Sequence, residues 1–165
     1  MSLEQLNALS PESFVAALTG VFEHSDWVVE RAAGQRPFSS VATLLAALRN
    51  ALEAATDEEQ LGIMRAHPDL RARSVQTLTP ASASEQRRAG LEGCTPAEAG
   101  RLEALNLAYQ ERFGFPFILA VRGHDPASII ARCEQRLLRE PATERATALE
   151  EIARIAEFRL RDRMS

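Results

Sequence analysis

His67-Pro68-Asp69-Leu70 is a run in this 165-residue sequence whose residue types and spacing could do chemistry. Proline disfavours helical geometry in the residue before it, so a helix carrying Leu61, Ile63 and Met64 should stop at His67. A histidine at a helix C-terminus feels the negative end of the dipole, which favours its protonated form. With the chain direction fixed by Pro68, the imidazole would sit at the lip of the following loop as a general acid. A helix-stop proline beside a surface histidine accounts for the same pattern, and spacing alone leaves both readings open. Ser82-x-x-Glu85-Gln86 also reads two ways. It fits a capping box, and it fits a helix N-terminus whose glutamate meets N–H donors of a ligand. Arg159 lies four residues after Ile155 and seven after Ile152, on the flank of an apolar stripe. A guanidinium there needs a carboxylate, a partner chain or a ligand. Phe113-Gly-Phe-Pro-Phe117 sets three aromatics around two chain-benders, which suits a core plug or a platform for a flat heterocycle. His24, His67 and His124 lie too far apart for metal-ligand spacing, and Asp125 is explained as a cap before Pro126.

These residues need elements to hold them, and helix signals run from end to end. Ser10-Pro11 starts a helix with Phe14, Leu18, Val21 and Phe22 at helical spacing, and Val41, Leu44, Leu45, Leu48 and Leu52 form a second stripe. Thr56-x-x-Glu59 is a capping box for the helix that ends at His67. The polar stretch from Arg71 to Ser84 shows no apolar periodicity and is expected as an extended loop, with Ser82 starting a short helix that ends near Gly90. Thr95-Pro96 starts a longer helix with Leu102, Leu105, Tyr109 and Phe113 on one face. The apolar run Phe117–Val121 is a buried strand or a helical turn, and periodicity does not separate the two. Asp125-Pro126 starts a helix with Ile129, Ile130, Cys133 and Leu137 inward. Thr143 opens the last, with Leu149, Ile152, Ala153, Ala156 and Leu160 on a shared face. The expectation is one all-α domain spanning residues 1–165, of about eight helices.

Composition removes several chemistries. All 19 basic residues are arginine, so the chain has no lysine for a Schiff base or for a P-loop. A formal charge of −4 gives no electrostatic case for nucleic acid or for an anionic membrane. The apolar runs are too short to span a bilayer, and the N-terminal residues show neither the basic nor the apolar region of a secretion signal. The last residues, Arg-Met-Ser, are not a peroxisomal address. Cys94 and Cys133 are lone thiols, which with the rest points to a cytoplasmic protein.

The fragments in order resemble one family. Phe22-Glu-His-Ser25 with Trp27, Arg36-Pro-Phe38, Ala66-His-Pro-Asp-Leu70, Ser82-x-x-Glu-Gln86 and Ala89-Gly-Leu91 fit it. So do Phe113-Gly-Phe-Pro-Phe117, Val121-Arg-Gly-His124, Ala148-Leu-x-Glu-Ile152 and Arg159-Leu160. The chain resembles 2-oxo-4-hydroxy-4-carboxy-5-ureidoimidazoline (OHCU) decarboxylases over nearly its whole length. The resemblance implies an all-helical, often homodimeric enzyme, a carboxy-lyase that forms S-allantoin without metal or organic cofactor. It implies that His67 is the proton donor, that Pro68 lies against the substrate ring, and that Ser82, Glu85 and Gln86 form a binding turn in which Glu85 meets the ureido N–H groups. The backbone of Phe117, Ile118, Leu119, Ala120 and Val121 would line the site, and Arg159 would pair with substrate polar groups. The stretch Arg71-Ala-Arg-Ser-Val-Gln is more basic than expected after such a His-Pro-Asp-Leu motif. Two other readings compete: an all-α metal phosphohydrolase around His124-Asp125, and a non-catalytic helical module of a purine-degrading complex.

Overall fold

Prolines and their capping neighbours decide where most of these helices begin. The computed structural model describes residues 1–71 and 78–165. Among them are nine α-helices, one 3₁₀ turn at Leu91–Gly93 and no strand. The helices are α1 (Leu3–Asn7), α2 (Pro11–Leu18), α3 (Trp27–Ala33), α4 (Val41–Glu53), α5 (Asp57–Ala66), α6 (Pro80–Arg88), α7 (Pro96–Phe113), α8 (Pro126–Leu137) and α9 (Pro141–Met164). The expected starts at Ser10-Pro11, Thr56, Thr95-Pro96 and Asp125-Pro126 are all present. In each, the cap side chain accepts a backbone N–H three residues on, at 2.8–3.2 Å. The cap satisfies a donor that has no partner inside the helix.

Four expectations fail. α6 begins at Pro80, with Thr79 rather than Ser82 as its cap: the Ser82 N–H donates to Thr79 Oγ1 at 3.2 Å. Proline suits the first helical position because its missing N–H is not needed there, so the Thr-Pro pair outcompetes the Ser-x-x-Glu pattern. The expected loop therefore ends by Thr79, and its residues 72–77 lie outside the described residues, as does most of the Arg71–Gln76 stretch. α9 likewise starts at Pro141, two residues ahead of Thr143. Phe117–Val121 is neither strand nor helical turn but irregular chain, buried throughout. On α8 the inward positions are Ile129, Cys133 and Arg136, while Ile130 and Leu137 are only half-buried. α1 and α3 have no counterpart among the expected helices.

The chain falls into two compact units, residues 1–66 with 153–165, and residues 67–152. In the first, α3 packs on α2 and α4, and Leu6, Phe14, Val28, Leu44, Met64 and Leu160 are fully buried. In the second, α7 packs on α8, and Leu91, Leu102, Tyr109, Phe117 and Ile129 form the core. Gly114 ends α7 at φ +79°, and its N–H donates to the Gln110 carbonyl at 2.8 Å. That left-handed conformation is open to glycine without strain, and it turns the chain into the buried 115–121 segment.

Thr79→Ala should lower stability by about 1 kcal/mol, the usual loss for a threonine cap. Urea unfolding checks this; an unchanged midpoint would move the start of α6 away from Thr79.

Candidate active site

His67 follows the last residue of α5 directly and is only 6% exposed, so the surface-histidine reading does not hold. The turn after it is non-helical and buried at Asp69 and Leu70, and buried carbonyls need donors. Two side-chain amides supply them. Gln86 Nε2 on α6 donates to the Asp69 carbonyl at 3.0 Å, and Asn106 Nδ2 on α7 donates to the Leu70 carbonyl at 2.9 Å. Asn106 Nδ2 also donates to the Leu102 carbonyl at 2.9 Å, and Arg71 Nη2 pairs with Asp69 Oδ2 at 2.9 Å. The backbone beyond the histidine is thus pinned by neighbouring helices.

Ser82, Glu85 and Gln86 occupy positions i, i+3 and i+4 on α6, hence one face. Ser82 and Gln86 are buried and Glu85 is half-buried. With the cap at Thr79, Ser82 is the third residue of the first turn and Glu85 and Gln86 lie beyond that turn, so the reading of Ser82 and Glu85 as a capping box fails. The bond from Gln86 to Asp69 joins the same face to the His67 turn.

Phe117–Val121 is fixed by different partners. The rings of Phe113, Phe115 and Phe117 lie 4.6, 5.9 and 5.4 Å from the Tyr109 ring, which makes the aromatic motif a core plug. Arg136, 1% exposed, donates through Nη1 to the Ile118 carbonyl and through Nε to Glu144 Oε1, each at 2.5 Å. The Tyr109 hydroxyl donates to that same oxygen at 2.5 Å. Burial, and then that hydrogen bond to Glu144, push the phenol's pKa well above its ordinary value. Sequence reading missed Arg136 and Glu144. The signal was there for Arg136, seven residues after Ile129 on the buried stripe, the same kind of spacing that singled out Arg159.

Arg159 belongs to the first unit. Its Nη1 donates to Glu23 Oε2 at 2.8 Å and to the Gly20 carbonyl at 3.0 Å, with both side chains buried. Glu23 precedes His24, whose φ of +49° is uncommon for a residue with a side chain. The second unit holds His67, Pro68, Ser82, Glu85, Gln86 and Phe117–Val121.

The remaining candidates are accounted for locally. His124 Nδ1 meets Ser128 Oγ at 2.9 Å, and hydrogen bonds from Ser128 hold the Asp125 carboxyl below its ordinary pKa, as expected of a cap. No group of three His, Cys, Asp or Glu side chains able to hold a metal ion gathers among the described residues. Burial pushes the Cys133 thiol up to about 12 and raises Cys94 as well, the opposite of an activated nucleophile.

The second unit thus holds a buried histidine at a helix end, followed by a turn whose Asp69 carbonyl is bound by Gln86, on the helix face that also carries Ser82 and Glu85. A sequence model of the OHCU decarboxylase family matches residues 7–161. The chain is 45% identical to 2-oxo-4-hydroxy-4-carboxy-5-ureidoimidazoline decarboxylase of Haloferax volcanii, over 100% of this chain and 97% of that one. It is 43% identical to the uric acid degradation bifunctional protein of a Bacillus species, over 98% of this chain but 32% of the relative. Among solved structures, an (S)-allantoin synthase superposes with a TM-score of 0.83 at 27% identity, covering 100% of this chain and 54% of that one. The chain belongs to the OHCU decarboxylase family.

In folded protein at pH 8, a thiol-reactive disulfide should modify Cys133 only after denaturant is added. Prompt reaction of both thiols in the native protein would contradict the burial at Cys133.

Proposed function

We propose that this chain is a carboxy-lyase that converts 2-oxo-4-hydroxy-4-carboxy-5-ureidoimidazoline to (S)-allantoin and carbon dioxide in uric acid degradation. The match over residues 7–161 supports the reaction, and the pinned, buried His67 turn is the single structural observation that carries the site.

The substrate chemistry explains why these side chains suffice. The carboxylate leaves from the hydroxyl-bearing ring carbon, next to the C=N bond of the ureido-bearing carbon. As the C–C bond breaks, its electron pair forms a carbon–carbon double bond, and the C=N pair moves onto nitrogen, which takes a proton. The enol then loses its hydroxyl proton to become the ring carbonyl, and the ureido-bearing carbon takes a proton on one face. The electron sink lies within the substrate, so the reading is a cofactor-independent one. The protein supplies orientation and a directed proton.

His67 is the proton donor in this reading, and Pro68 lies against the ring. Glu85 accepts from the ureido N–H groups, with Ser82 and Gln86 on the same helix face. The Phe117–Val121 backbone borders the substrate, and the Arg159 guanidinium, oriented by Glu23, is assigned to the substrate's polar groups. The wider reading is of a cytoplasmic homodimer with no nucleic-acid or membrane partner. The free thiols fit a reducing compartment, and no helix among the described residues is long and apolar enough to cross a membrane.

OHCU generated from urate by the two preceding enzyme activities, with this protein added, should give optically active (S)-allantoin faster than the spontaneous reaction. Racemic product at the spontaneous rate would sink the assignment. His67→Gln should keep its helical circular dichroism and lose turnover by ~10²–10⁴-fold, the range for general acid catalysis. Arg159→Lys keeps a charge beside Glu23 but loses the planar fork, and should raise KM by roughly tenfold. An unchanged KM would remove Arg159 from substrate binding.

A further inference from the structure

Arg136 has no assigned part in the reaction, yet it is the largest fully buried side chain among the described residues. We infer that Arg136 is a positioning residue for decarboxylation: its guanidinium fixes the Ile118 carbonyl, and with it the Phe117–Val121 backbone, while Glu144 and Tyr109 hold the guanidinium in place. The inference rests on the reading above in which that backbone borders the substrate.

The need for such a residue follows from the segment itself. Residues 116–121 belong to no helix and no sheet ladder, so nothing regular fixes their carbonyls. The Ile118 carbonyl receives Arg136 Nη1 at 2.5 Å, a charge-assisted bond from the adjacent helix. The donor is itself held from several sides. Nε is bound to Glu144 Oε1 at 2.5 Å, and Nη2 is 3.5 Å from the Tyr109 hydroxyl. The guanidinium carbon lies 4.6 Å from the Phe117 ring centroid and 5.9 Å from that of Tyr109.

Stability alone does not explain this arrangement. A buried ion pair is often no better than well-packed apolar residues of the same volume, because both charges lose their hydration. Glu144, 0% exposed, even leaves Oε2 without a hydrogen-bond partner and gathers both donors on Oε1. Apolar side chains could fill the space but could not donate to one chosen carbonyl in a fixed direction. A lysine brings a point charge and not a planar fork, so it could not reach the carboxylate and the carbonyl together in this geometry. The alignment has a use in catalysis, since a misplacement of about 1 Å near a reacting centre can lower the rate about a hundredfold.

Two variants test this in the full chain. Arg136→Lys keeps a charge opposite Glu144, and the double variant Arg136→Met/Glu144→Gln removes both charges at similar volume. Whichever keeps the wild-type helical circular dichroism is assayed, and the melting temperature is recorded beside kcat, KM and the optical purity of the allantoin. The expected result is a kcat about ten- to a hundredfold lower per folded molecule, with KM little changed and optical purity reduced. A folded variant with wild-type kcat and optical purity, whatever its melting temperature, would make Arg136 purely structural and overturn the inference. So would a change confined to KM. A wild-type protein that forms no excess (S)-allantoin would instead overturn the decarboxylase reading before any variant is compared.

Discussion

Buried chain that is not helical must find hydrogen-bond donors for its carbonyls, and much of this site follows from how that demand is met. A helix satisfies its own carbonyls, but the turn after His67 and the segment ending at Val121 are irregular and buried. Gln86 serves Asp69, Asn106 serves Leu70, and Arg136 serves Ile118. Each donor stands on a helix, so irregular backbone inherits the rigidity of regular backbone. A site built this way has the carbonyl directions of a loop with the positional spread of a helix bundle.

The two arginines buried among the described residues use one device. Arg136 bridges Glu144 and the Ile118 carbonyl, and Arg159 bridges Glu23 and the Gly20 carbonyl. In both, a guanidinium joins a buried carboxylate to a backbone oxygen, a task suited to a fork of fixed donors. The absence of lysine, which at the level of composition only excluded amine chemistry, therefore has a structural counterpart. At both positions the geometry asks for arginine.

Much of this was legible in local signals. Thr95-Pro96 and Asp125-Pro126 marked helix starts because a cap and a following proline act within a few residues. Pro68 placed His67 at a helix end for the same reason. Arg159 was suspect from its spacing beside a buried stripe. Other features depended on competition or on distant partners. At α6 two start signals overlapped, and Pro80 decided between them. α3 begins without a side-chain cap because the Asp26 carboxylate instead accepts from Thr19 Oγ1 and the Gly20 N–H, at 3.0 and 3.3 Å. An apolar run such as Phe117–Val121 is buried whichever backbone it adopts, so its composition could not reveal that it lacks a ladder. Glu144, which no local signal singled out, is internal because its carboxylate takes the Tyr109 hydroxyl, thirty-five residues away, and the Arg136 guanidinium of the preceding helix.

The bond from Gln86 to Asp69 also determines how a ligand would perceive that side chain. An amide free to rotate by half a turn offers donor or acceptor as required and discriminates poorly between the two. Here the nitrogen is committed to a backbone carbonyl, so a flip would set oxygen against oxygen. The Gln86 oxygen is thereby held as an acceptor with a definite direction. Hydrogen-bond polarity at the Gln86 side chain is then settled by the protein's own backbone, whereas the Ser82 hydroxyl on the same face can still turn to donate or accept.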